Sequence, residues 1–89
     1  MKIEFTKNLQ FTNLVKADGK LKEFNFRKIN GQNEALFSVD VSDDRGNRKI
    51  FRMQKKDNRW KIIDEQVPEW ISSSEGILND LIEQKLISE

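Results

Sequence analysis

The sequence predicts an α+β domain: an antiparallel β-meander of four to five strands with one C-terminal α-helix packed on one face. Three observations carry this reading. Turn signals recur at Asp18-Gly19, Asn30-Gly31, Asp44-Arg45-Gly46 and Asp57-Asn58, the runs between them alternate apolar and polar residues, and after Asp64 the apolar period becomes helical. Eighty-nine residues make one small domain, 1–89. A chain of that size buries roughly 60–65% of its unfolded surface, enough for one core between two layers.

At the first reversal, Asp18-Gly19 pairs Phe11 with Phe26 and Val15 with Lys22, which extends the meander to a fifth strand. The odd-numbered apolar residues Ile3, Phe5, Leu9, Phe11 and Val15 support that extension. A short helix over residues 6–17, ended by Gly19, is the competing reading of the same segment. Asn30-Gly31 then matches a two-residue type I′ turn, in which both central residues need positive φ. It sets Ile29 against Gln32, Phe24 against Phe37 and Phe26 against Ala35. Asp43 to Asn47 fits a type I turn followed by a bulge with Gly46 in the left-handed region, so Val39 faces Phe51 and Phe37 faces Met53. Asp57-Asn58 tolerates positive φ less well than glycine but in the same way, and sets Met53 against Ile62 and Lys55 beside Trp60.

These turns agree on one apolar face: Phe24, Phe26, Ala35, Phe37, Val39, Val41, Phe51, Met53, Trp60 and Ile62. Opposite parity puts Glu23, Asn25, Arg27, Leu36, Ser38, Asp40, Ile50, Arg52, Gln54, Lys61 and Ile63 on the other face. Pro68 suits a first helical turn, and Ser72 with Glu75 three residues on matches a capping box. A brief turn at 68–71 and a main helix near 73–88 are therefore expected, with Ile77, Leu78, Leu81, Ile82 and Leu86 as its apolar stripe. Val67 and Trp70 are expected to close one end of the core.

Composition narrows the chemistry. The chain has neither cysteine nor histidine, so it lacks a thiol nucleophile, the commonest general base and the commonest metal ligand. Asp40, Ser42, Asp43 and Asp44 do not make a calcium loop, because Arg45 and Phe51 stand where that loop needs glycine and glutamate. Asp side chains bonding nearby amides account for them. Ser72, Ser73 and Ser74 have no positioned base and read as helix-capping residues. Glu34, Asp64 and Glu65 are possible acids or bases, but nothing in their spacing pairs them. The reading is a non-enzymatic domain with no cofactor and no metal. Residues 1–6 contain no apolar stretch of signal-peptide length and no run approaches the ~20 residues of a membrane span, so a cytoplasmic protein with no membrane segment is expected.

Formal charge is only +1, yet it is unevenly distributed. Residues 45–61 carry eight basic side chains against Asp57, a balance of +7, and residues 62–89 carry seven acidic ones against Lys85, a balance of −6. Arg45, Arg48, Lys49, Arg52, Lys55, Lys56, Arg59 and Lys61 could contact phosphates. A four-stranded meander followed by a helix resembles the element order of Pur-type and Whirly-type single-strand binders, a likeness of topology alone. Against nucleic-acid binding, the strand aromatics fall on the face under the helix and leave no ring for a base to stack on.

The leading expectation is a protein-interaction or self-association module, meeting a protein partner or a second copy through the open sheet face. Its candidate residues are Leu36, Ile50, Arg52, Gln54, Lys61 and Ile63. Single-stranded nucleic-acid binding by residues 45–61 is one alternative. A small-ligand carrier with its pocket between sheet and helix is another.

Overall fold

Three of the five strands begin just after a turn whose backbone enters the left-handed region. The computed structural model describes residues 9–30 and 35–88, and contains β1 (Gln10–Ala17), β2 (Lys20–Asn30), β3 (Ala35–Ser42), β4 (Arg48–Lys56) and β5 (Arg59–Ile62), followed by α1 (Glu69–Ser72) and α2 (Glu75–Ser88). The five strands form one antiparallel sheet in the order β1-β2-β3-β4-β5. Asp18 and Gly19 take φ of 60° and 76°, and Asp57 and Asn58 take 54° and 68°, as the type I′ hairpin requires. Residues 10–17 are thus a strand, not a helix, and Phe11 faces Phe26 as expected. Gly46 has φ of 84°, and Asp43 accepts its amide at 3.0 Å, which is the expected turn and bulge.

One register differs from expectation. Asn30 pairs with Ala35 and Phe26 with Val39, so residues 31–34 separate the strands and Asn30-Gly31 is not a two-residue reversal. Gly31, Gln32 and Glu34, the expected Ile29–Gln32 pair and the side chain of Ala35 lie outside the described residues, as does everything before Leu9. The slip is four positions, an even number, so the described side chains of β2 and β3 stay on their predicted faces. Its physical reason lies at Lys22, which β2 places on the apolar side. In the two-residue register Lys22 would lie opposite Val39. In the observed one its ammonium reaches Asp44 at 2.7 Å and sits 4.9 Å from the centre of the Trp70 ring. A buried ammonium without such a partner is costly, and Lys22 is only 8% exposed.

The inner face matches the parity argument. Phe24, Phe26, Phe37, Val39, Val41, Phe51, Met53 and Trp60 are buried, together with Val15, Ala17, Ile71, Leu78 and Ile82. Phe11 stacks on Phe26 with ring centres 4.5 Å apart, and Trp60 meets Phe37 edge-on at 5.1 Å. Val67 and Trp70 pack against this core as expected, with Leu81 and Leu86. Ile77, expected on the stripe, is exposed. The capping box does not form: the Ser72 hydroxyl donates to the Glu69 carbonyl and Ser74 to that of Trp70, while the Glu75 carboxylate is used elsewhere.

That use explains how α2 is held. Its Glu75, Asn79 and Glu83 recur every four residues. The Ile62 amide donates to Glu75 Oε2 at 2.8 Å, the Trp60 amide to Asn79 Oδ1 at 2.8 Å, and the Trp60 indole Nε1 to Glu83 Oε2 at 2.9 Å. Four residues of helix rise about 6 Å and two residues of strand about 6.8 Å, so the two repeats run in step. In a two-residue hairpin the pair flanking the turn, here Lys56 and Arg59, is hydrogen-bonded, which makes Trp60 and Ile62 the residues whose amides point away from β4. The helix therefore satisfies both outward amides of the short edge strand.

Candidate functional site

The face opposite the helix is where the sequence placed its candidate contact residues, and the strand pairing gathers them. Leu36, Gln54 and Lys61 form one cross-strand row, since Leu36 pairs with Gln54 and Gln54 with Lys61. Arg52 and Ile50 follow along β4, and the Ile63 amide donates to the Arg52 carbonyl at 3.0 Å. Ile50 is 61% exposed, whereas Leu36, Gln54, Lys61 and Ile63 are half-buried. Arg52 is not simply presented to solvent. Asp64 accepts its amide at 2.7 Å and its guanidinium at 3.0 Å, so the carboxylate extends the ladder beyond the end of β5.

Sequence reading missed two members of this face. Leu14 and Leu21 are 64% and 66% exposed and lie diagonally across the β1–β2 pair, because Leu14 faces Glu23 and Lys16 faces Leu21. Carrying the alternation across Asp18-Gly19 would have found them. It also missed a polar ladder over four strands. Thr12 Oγ1 donates to Asn25 Oδ1 at 2.7 Å, Asn25 Nδ2 to Asp40 Oδ1 at 2.9 Å, and Arg48 Nη2 to Asp40 Oδ2 at 2.9 Å. The two-residue register would have put Asn25 opposite Leu36, which hid it. Thr12, Asn25, Asp40, Arg48 and Ile50 line an open groove of about 710 Å³.

The predicted basic cluster is divided and partly neutralised. Arg48 pairs with Asp40, Arg52 with Asp64 at 3.0 Å and Lys55 with Glu83 at 2.9 Å. Arg48 and Arg52 lie on the open face, while Lys49 and Lys55 alternate to the helix side of β4. Arg45, Lys56 and Arg59 are exposed and Lys61 is half-buried. The acidic C-terminal third is folded against the basic hairpin, so the two charged stretches become neighbours, not opposed poles. Phe51 and Trp60 are buried and offer no stacking platform.

Asp43 accepts the amides of Arg45 and Asn47 at 2.9 and 2.8 Å, and Asp44 binds Lys20 and Lys22. Among the described residues no three acidic, His or Cys side chains are grouped to hold a metal ion, and no helix is long and apolar enough to cross a membrane. Between sheet and helix the space is filled by Trp60, Phe37, Leu78 and Ile82, none more than 1% exposed. A smaller cleft of about 360 Å³ opens beside Trp70, Lys22 and Asp44.

Four carboxylates titrate below their ordinary value. Amide donation from Asn47 lowers Asp43, the Lys22 ammonium lowers Asp44, and Lys55 lowers Glu83. Burial raises Asp64, but hydrogen bonds from Arg52 outweigh it and leave it lowered. A carboxylate with a depressed folded pKa contributes stability that is present above the unfolded value of about 4 and is lost as pH falls through the folded value. Urea midpoints should therefore hold from neutral pH down to about 4 and drop below it. The double variant Asp43→Asn with Asp44→Asn should show a shallower drop, and an identical acid profile would refute the assignment.

No protein-family model, curated protein or solved structure matches this chain. Fold and surface together define an α+β meander domain with one sheet face under a helix and the other not covered by any described element.

Proposed function

We propose that this domain acts by contact with another protein surface, through the open sheet face, and performs no covalent chemistry of its own. The carrying observation is that Ile50, Leu14 and Leu21 are each more than three-fifths exposed on that face, where the four-strand polar ladder holds their neighbours in place. Exposed aliphatics of this kind, set among polar groups with internal partners, are the usual makings of a contact patch. Leu36, Arg52, Gln54, Lys61 and Ile63 would extend the patch toward β5.

Single-strand binding by residues 45–61 has weaker support, because Arg48, Arg52 and Lys55 already hold carboxylates. A ligand carrier has weaker support still, since the layer between sheet and helix is packed.

The test compares the native chain with Ile50→Asp, by light scattering and by affinity recovery with mass spectrometry. Ile50 is largely exposed, so thermal stability should change little. The expected result is a protein recovered with the native chain and lost with the variant. A monodisperse monomer recovering the same background as the variant would overturn the proposal.

A further inference from the structure

The two edges of the sheet are treated differently. At β5 both outward amides are taken by Asn79 and Glu75. At β1 no described strand pairs with the outer side, and the C-terminal part of α2 comes near its first residues, with Lys85 over the Phe11 ring at 5.7 Å. The register from Gln10–Arg27 to Ala17–Lys20 is unbroken by any bulge, and the strand QFTNLVKA has one charged residue, Lys16, and no proline. Of the devices that normally discourage edge pairing, repeated charges, bulges and proline are thus nearly absent from this eight-residue strand, and no described strand covers it, in a chain that is 35% charged.

Hydrogen-bond geometry says which groups are free to pair. Ala17 and Lys20 flank a two-residue turn, so they form a hydrogen-bonded pair and alternate positions point outward. Leu9, whose carbonyl accepts the Lys28 amide at 2.9 Å, confirms that odd positions bond inward. Gln10, Thr12, Leu14 and Lys16 therefore present their amides and carbonyls to the outside. Only an extended strand satisfies such a row.

We infer that the occupant is β1 of a second copy, paired antiparallel about a two-fold axis at Leu14, which joins two five-stranded sheets into one of ten strands. The self-complementary pattern of the strand supports this choice. With Leu14 on the axis, Lys16 falls opposite Thr12 of the other copy, so no like charges meet. Leu14 and Leu21 of both copies then form a single four-leucine patch on the open face, in which their neighbouring sides shield one another from water. The inference rests on the reading of this domain as a contact module and adds to it a self-pairing edge at β1, separate from Ile50 on β4.

The experiment uses the full chain at high micromolar concentration, with light scattering for mass and NMR for amide exchange. Expected is a species of twice 10.5 kDa, in which the amides of Thr12, Leu14 and Lys16 exchange slowly. Leu14→Lys places two cations face to face on the axis and should raise the dimer dissociation constant at least about tenfold. Leu14→Pro, tolerated where an edge amide faces outward, should do the same by removing two hydrogen bonds. A monomer at every concentration overturns the inference, as does slow exchange of those amides in a monomer, which would mean the edge is covered within one chain. If Ile50→Asp dissociates the assembly and both Leu14 variants leave it intact, the edge pairing fails while the face contact stands.

Discussion

Replacing Trp60 by alanine is expected to remove about 3–5 kcal/mol of stability, the usual loss for a large buried aromatic. The side chain is 1% exposed, lies edge-on to Phe37, and donates its indole proton to Glu83. It also sits on the shortest strand, β5, directly under α2, so the cavity opens at the seam between the two layers. Small domains carry about 5–15 kcal/mol in all, and the variant should unfold at a far lower urea concentration with a similar slope. Trp60→Phe separates the contributions: it keeps most of the ring burial and loses the bond to Glu83, so about 1–2 kcal/mol should go. Wild-type stability in the alanine variant would show that the inner face is not the core.

Asn79→Leu is the second large effect, and its sign is the informative part. On apolar area alone a leucine in this 5% exposed position should help. The Trp60 amide, however, donates to Asn79 Oδ1, and the substitution leaves that amide buried without an acceptor. An orphaned buried donor costs about 1–3 kcal/mol and fitting the larger leucine into the packed seam about 1–3 kcal/mol more, against about 1.5–3 kcal/mol gained by its burial, so a net loss of about 1–2 kcal/mol is expected. For a domain of this length that is a fall in Tm on the order of ten degrees. Hydrogen exchange at Trp60 should accelerate more than at Met53 in the neighbouring strand. A stabilised variant would mean that edge capping by α2 contributes little.

Much of the fold was legible because its signals are local. Asp18-Gly19, Gly46 and Asp57-Asn58 adopt the backbone angles that their side chains permit, and each such turn fixes which strand positions share a face. Parity survived even where the register failed, because the connection at residues 31–34 moves the pairing by an even number of positions. The same slip concealed the Thr12–Asn25–Asp40–Arg48 ladder. Candidate residues on the open face were recoverable for the same reason, and Leu14 and Leu21 escaped only because alternation was not carried through β1 and the first residues of β2.

The rest depended on residues distant in the chain. The burial of Lys22 favours a register in which Asp44 can meet it, and no local turn preference carries that information. Glu75 reads as the second half of a capping box until β5 is seen beside it with an unsatisfied amide, and Asn79 and Glu83 read as an ordinary polar helix face. Charge along the chain suggested two poles, yet folding sets Lys55 against Glu83 and Arg52 against Asp64. Turn type and side-chain alternation follow from sterics within a few residues. Strand register, edge satisfaction and charge compensation follow from hydrogen bonds and ion pairs that exist only once the sheet and helix have come together.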